Sequence, residues 1–260
     1  SLRRLEHSGR HTMILLLPGS INMASARIAV IGGSGLYEMP GLTNMEEAIL
    51  VTPFGSPSDS MFIGELEGVS IVFLPRHGRS HQLNPTEVPS KANIYALKSL
   101  GVEQVISISA VGSLKESIHP QEMVVPDQLI DRTYGRPSTF FENGVVAHVS
   151  FAEPFCPVMR SLLVDVLNTT AGGVHDGGTY VVIEGPSFST IAESKLYRSW
   201  EASIIGMTAL PEAKLAREAE LCYVSVAMVT DYDCWHPHHD NVSVDSILKV
   251  LMGNADNARS

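Results

Sequence analysis

Two carboxylates two residues apart, Asp231 and Asp233, follow the apolar run 222–229 through Thr230. In an extended segment residues i and i+2 share a face, so both carboxyls are expected on one side of a strand end. Burial and a like-charged neighbour there raise a carboxyl pKa, and such a group can hand a proton to a departing ring nitrogen. The bland alternative is a pair of solvated turn carboxylates, the more frequent fate of Asp after a strand. A second set of chemistry-bearing residues sits at other strand-like ends: Gly32-Gly33-Ser34-Gly35, Pro75-Arg76-His77-Gly78, Ser109-Ala110-Val111-Gly112-Ser113 and Gly206-Met207-Thr208. Glycines let backbone amides converge on an anion, the hydroxyls of Ser34, Ser109 and Thr208 add donors, and Arg76 adds a guanidinium. Singly each is an ordinary turn or cap; the joint placement points to an anion site. The glycines of 32–35 miss the G-x-G-x-x-G register, which sets a dinucleotide-binding dehydrogenase aside. Cys234, His236, His238 and His239 invite a metal reading, but Pro237, Asp240 and Asn241 describe a polar flap with solvent-exposed histidines, and no metal is expected.

The elements that must position these groups alternate. Residues 27–32 form a β-branched run ending in glycines, a buried strand entering a turn. Residues 61–65 and 69–74, with Gly68 between them, predict a hairpin. Pro89 and Ser90 open a helix with Ala96, Leu97 and Leu100 on one face, stopped by Gly101. Strands follow at 105–108, 179–183 and 203–205, with helices at 191–200 and 211–219. The nearly all-apolar 222–229 reads as a central strand covered on both faces. This rhythm predicts an α/β fold: a single domain with a central mixed β-sheet flanked by helices. Sites on such sheets collect at the carboxyl ends of strands, where the candidate residues lie.

In 260 residues, 44% are hydrophobic and 18% charged, the composition of a folded domain rather than a disordered chain. The formal net charge of −10 argues against a nucleic-acid surface, and no run approaches a membrane-spanning length. Cys156, Cys222 and Cys234 lack the spacing of a disulfide framework or zinc site, so a reducing cytoplasm is expected, the nucleus also being open to a eukaryotic chain. Residues 1–22 read as a disordered extension or cloning remnant before Met23, and 23–260 as the domain.

From about Arg27 onward the chain resembles the trimeric purine nucleoside phosphorylase superfamily and, within it, the 5'-methylthioadenosine phosphorylases. The motifs named above carry this, joined by Gly35-Leu36, Glu184-Gly185-Pro186-Ser187-Phe188-Ser189-Thr190, Met207-Thr208-Ala209-Leu210-Pro211-Glu212 and Thr230-Asp231-Tyr232-Asp233-Cys234-Trp235. The resemblance implies phosphate held by Ser34, Arg76, His77, Ser109, Ala110 and Thr208, with Ser34 replacing a commoner Thr. It implies Met207 under the ribose, Phe188 against the base, and Thr230, Asp231 and Asp233 at the purine edge. It also implies His148 reaching a neighbouring subunit's 5' substituent in a homotrimer. Ser189 and Asp231 are the adenine-type residues where 6-oxopurine relatives usually carry Glu and Asn, and the apolar Val244 suits a methylthio group. The implied reaction is phosphorolysis of 5'-methylthioadenosine in purine and methionine salvage, with phosphate as co-substrate and no cofactor. A broader phosphorylase of adenosine or inosine-type nucleosides, a hydrolytic nucleosidase and a non-catalytic binding protein on the same fold are the rival readings. The chain ends at Ser260, earlier than the resemblance leads one to expect.

Overall fold

A computed structural model describes residues 4–5, 12–16, 26–33, 41–170 and 173–237. In chain order they form β1 (Arg4–Leu5), β2 (Thr12–Leu16), β3 (Ile28–Gly32), β4 (Thr43–Leu50), β5 (Met61–Leu66), β6 (Val69–Pro75), α1 (Ser90–Ser99) and β7 (Gln104–Ser113). Then come β8 (Met123–Val125), β9 (Gln128–Arg132), α2 (Pro157–Thr170), β10 (Val174–Asp176), β11 (Thr179–Ile183), α3 (Ile191–Ser199), β12 (Ile204–Gly206), α4 (Ala209–Glu218) and β13 (Cys222–Asp231). The strands join one mixed sheet in the order β1-β2-β4-β5-β6-β3-β7-β12-β11-β9, with β13 beside β7 and β8, and β8 beside β10. The chain is thus a single mixed α/β domain with helices about a large sheet.

Local sequence explains most of these elements. The β5–β6 hairpin turns at Glu67 and Gly68, both with positive φ, pairing Leu66 with Val69. Helix α1 stops where Gly101 takes φ +84°, a conformation a residue with a Cβ adopts at a cost. Helix α3 starts at a capping box in which Thr190 and Glu193 satisfy each other's backbone amides. Strand β13 is buried from Tyr223 to Thr230. On one side it joins the main core with Ala29, Ile31, Ile94 and Leu97, and on the other Val224, Val226 and Met228 pack against Val164 and Leu167 of α2.

Two expectations change. Of residues 1–22, expected as a disordered extension or cloning remnant, the described Thr12–Leu16 pairs parallel with β4 and Arg4–Leu5 pairs antiparallel with β2; there an apolar, β-prone run lies along the edge of β4. Cys156 and Cys222, read as unpaired, form a disulfide. The reason is tertiary: the Cys156 amide donates to Tyr223 O at 2.8 Å, drawing the start of α2 onto the start of β13 across 66 residues of sequence. The cysteines therefore give no support to a reducing compartment. Among the described residues no helix is long and apolar enough to cross a membrane.

Candidate active site

Strands β3, β6, β7 and β13 run parallel in register, with Gly32 opposite Pro75, Ile31 opposite Ser107 and Gly112 opposite Asp231. Their carboxyl ends therefore share one edge of the sheet, which puts Arg76, Ser109 and Asp231 on the same side of the molecule. A recess there is lined by Arg76, His77, Pro85, Val88, Ser90, Arg136, Met207, Thr208, Leu210 and Glu212.

Arg76 is 2% exposed and held by Glu212 of α4 through Nε–Oε1 at 2.5 Å and Nη2–Oε2 at 3.2 Å. Its Nη2 also donates to Ser107 Oγ at 2.7 Å and its Nη1 to Ile108 O at 3.0 Å. A guanidinium has five N–H groups, so one Nη1 hydrogen remains for the recess. Burial alone would lower the Arg76 pKa; the Glu212 carboxylate more than offsets this, and the net direction is up. The charge is thus already paired. Arg76 acts here as a fixed donor more than as a free cation.

His77 donates through Nδ1 to Leu83 O at 2.8 Å, the role a carbonyl acceptor imposes. Burial, and next the Arg76 charge, bring its pKa down to about 4, so the ring is neutral at pH 7 with Nε2 as an acceptor. Ser109 Oγ and Thr208 Oγ1 are buried and have no hydrogen-bond partner among the described residues. Thr208 precedes α4 without capping it through its side chain. Ala110 lies on β7 opposite Met228. Ser34 and Val244 lie outside the described residues.

Further toward the carboxyl end of β7 the carboxylates meet glycine backbone. A Cβ on Gly112 would stand 2.9 Å from Asp231 Oδ1 and 3.2 Å from the Asp233 Cβ, so only glycine admits both acids so close to the strand. Asp231 Oδ1 accepts the Asp233 amide at 2.7 Å and Oδ2 the Thr230 hydroxyl at 2.6 Å. Desolvation raises the Asp231 pKa, the nearby Asp233 charge adds to this, and the two hydrogen bonds oppose it. The expected i, i+2 alternation does not hold. Asp233 leaves the strand in a turn with φ +52°, so the pair is arranged by the turn and not by strand pleat. Ser189 Oγ donates to both Asp233 oxygens, at 2.8 and 2.9 Å, linking the segment after β11 to the acids. The Met207 sulfur lies against Gly185, where a Cβ would be 2.5 Å away. Phe188 is 43% exposed. His148 is exposed on the loop between β9 and α2, and among the described residues no hydrogen bond joins it to the rest of the site.

The flap histidine His236 departs from its expected exposure. Its ring stacks on Tyr232 at 4.6 Å between centroids, with Nε2 3.1 Å from Glu116. Among the described residues no group of three or more His, Cys, Asp or Glu could hold a metal ion.

Sequence reasoning passed over Arg136, Glu212 and Tyr180. Arg136 donates through Nη1 to Met207 O and Leu210 O and through Nη2 to Ile183 O and Glu184 O, tying the ends of β11 and β12 together. Nothing in Gly135-Arg136-Pro137 marks that role. Glu212 could have been found: it interrupts the apolar face of Ala209, Ala213, Leu215 and Ala216, and a buried acid requires a partner.

With this geometry in hand, comparison with known proteins is direct. The phosphorylase superfamily model matches residues 27–259. The S-methyl-5'-thioadenosine phosphorylase of Chloroflexus aurantiacus is 61% identical over 235 residues, covering 90% of this chain and 82% of that protein. The enzyme of the same name from Thermosynechococcus vestitus is 58% identical over 239 residues, covering 91% and 83%. A methylthioadenosine phosphorylase crystal structure from an Antarctic soil metagenomic library superposes with a TM-score of 0.87 at 55% identity, covering 90% and 83%. Methylthioadenosine phosphorylase from Schistosoma mansoni in complex with adenine gives 0.82 at 35% identity, covering 90% and 88%. A chain this similar along nine-tenths of its length, with its candidate residues gathered at one sheet edge, belongs to the phosphorylase superfamily and, within it, to the S-methyl-5'-thioadenosine phosphorylase family.

Proposed function

We propose that the chain phosphorolyses 5'-methylthioadenosine to adenine and 5-methylthioribose 1-phosphate. The observation that carries this reading is the division of labour along β7. An unpartnered buried hydroxyl stands at Ser109 of β7 and another at Thr208 before α4, while three residues beyond Ser109, about 10 Å, Gly112 faces the desolvated Asp231 of β13. On this reading the ribose lies between an anion at one end and a base at the other. Phosphate is held by Arg76, His77, Ser109, Ala110 and Thr208, with Ser34 completing the set, and attacks the anomeric carbon as the glycosidic bond stretches. Neutral His77 offers Nε2 to a P–O–H. Asp231, its pKa already lifted by burial, donates to the leaving purine N7 and accepts from the 6-amino group. Most of the acceleration is positioning and preorganised electrostatics.

The choice of adenine is supported by Ser189. Its hydroxyl neutrally caps Asp233, whereas a Glu there would set a second carboxylate against that buried acid. Met207 underlies the ribose and Phe188 and Thr230 frame the base, while Val244 is assigned to the 5' end by the family resemblance alone. The reaction needs no metal or organic cofactor in this scheme. It belongs to purine and methionine salvage in the cytoplasm, carried out by a homotrimer in which a neighbour's His148 approaches the 5' substituent. The exposure of His148, and of Tyr134, Val145 and Val146 on the same loop, supports that assembly.

The test is product analysis with methylthioadenosine, with and without phosphate, for the parent and Asp231→Asn. The parent is expected to release adenine only with phosphate, and the variant to turn over about 100-fold or more slower, the scale of a lost general acid. Release without phosphate would mean a hydrolase; an unimpaired variant would remove Asp231 from the chemistry.

A further inference from the structure

Tyr180 lies in β11, 0% exposed, and its hydroxyl has no hydrogen-bond partner among the described residues. Buried hydroxyls are paired as a rule, so this one calls for a reason. It does not stand alone, because Ser109 Oγ and Thr208 Oγ1 are in the same condition. The three influence one another: desolvation lifts the phenol pKa, while the Ser109 and Thr208 hydroxyls, the Arg76 charge and the Thr208 backbone act against it. In this structure no hydrogen bond between them is formed, which leaves each hydroxyl free to turn. The phenol oxygen also lies so close to Gly206 that a Cβ there would collide with it, so the backbone leading into Met207 and Thr208 is shaped around this oxygen.

We propose that Tyr180 is a positioning residue of the phosphate subsite, its single hydroxyl proton given to the Ser109 or the Thr208 oxygen so that this hydroxyl turns its own proton toward a bound phosphate. The inference rests on the phosphorolytic reading above. A hydroxyl has one proton and two acceptor positions. For Ser109 or Thr208 to give its proton to phosphate, something behind it must occupy an acceptor position and fix its rotation, or the proton is shared among orientations. A phenol is suited to this, being a better donor than an aliphatic hydroxyl and anchored by a ring that cannot leave the core. Donation from behind also polarises the hydroxyl in front. Tyr180 itself does not line the recess, so it acts through its neighbours.

Steady-state kinetics of Tyr180→Phe test this, since the ring and its packing stay and only the oxygen goes. Loss of one such hydrogen bond corresponds to about a tenfold rise in the phosphate KM. The methylthioadenosine KM is expected unchanged and kcat at saturating phosphate within about twofold, and inhibition by sulfate competing with phosphate weakens in parallel. An unchanged phosphate KM and sulfate inhibition would overturn the proposal, as would parallel loss across both substrates, which marks a merely structural residue. Should Tyr180→Phe fold poorly, Gly206→Ala displaces the phenol while keeping it, and the same selective rise in phosphate KM is required. If the parent itself shows no phosphate dependence, the functional reading fails; if the parent needs phosphate and the variants bind it normally, only the role of Tyr180 does.

Discussion

His77 carries its own pH signature. Its pKa is about 4 in the folded chain and near 6.5 when unfolded. Above pH 6.5 the ring is neutral in both states and contributes nothing. Between 6.5 and 4 the unfolded chain takes up a proton that the folded one refuses, so stability falls as pH falls, and below 4 the loss is complete. Between pH 7 and pH 5 this amounts to about 2 kcal/mol. Urea unfolding of the parent at the two pH values is expected to show that loss, and His77→Gln is expected to lack it; equal losses in both would mean the histidine is not held neutral. Neither the direction nor the cause was legible in Pro75-Arg76-His77-Gly78. That Arg76 and His77 close a core strand could be read. That Glu212 pairs the arginine, and that the arginine then presses on the histidine, required α4 to pack against β13 and α1 so that Glu212 reaches Arg76 and Ser107. The acids show the same division. Two Asp after an apolar strand could be read, but the positive φ at Asp233 that turns the second toward Ser189 could not.

Strands β3, β6, β7 and β13 deliver their residues to one edge because they are parallel and in register, and the close approach of β7 to the acids makes one glycine decisive. Gly112→Ala would place a methyl 2.9 Å from Asp231 Oδ1 and 3.2 Å from Ile205 Cγ2. Overpacking of this kind costs about 1–3 kcal/mol, and the acid must move. The variant is therefore expected to lose adenine-nucleoside turnover well beyond its fall in melting temperature, with the phosphate KM little changed. Full activity with normal stability would refute this placement of Asp231. The buried strands and the helices after them were legible because their apolar runs and stops are strong. Strand β4 was not, since Glu46 and Glu47 break its pattern. Helix α2 was obscured by the exposed Val158, Leu162 and Val166 opposite its buried face, leaving no clear polar stripe for a 3.6-residue period to show.

With a formal net charge of −10, the molecule as a whole repels phosphate, and the site must attract it locally with oriented donors. If the proposed trimer forms, light scattering after size exclusion is expected to give three times the chain mass. His148→Ala should keep that mass while raising the methylthioadenosine KM; a monomer with full activity would discard the assembly and the shared histidine together. The chemistry was written in short motifs at strand ends, where residue type and local periodicity suffice: hydroxyls and glycines for an anion, paired acids for a base. Everything that depends on which distant segments touch came only with the folded chain. The Arg76–Glu212 pair spans 136 residues of sequence, Ser189 and Asp233 span 44, and Cys156 and Cys222 span 66. Such contacts leave no periodic trace in a single sequence, because they are set by how strands order themselves in a sheet and not by the residues beside them.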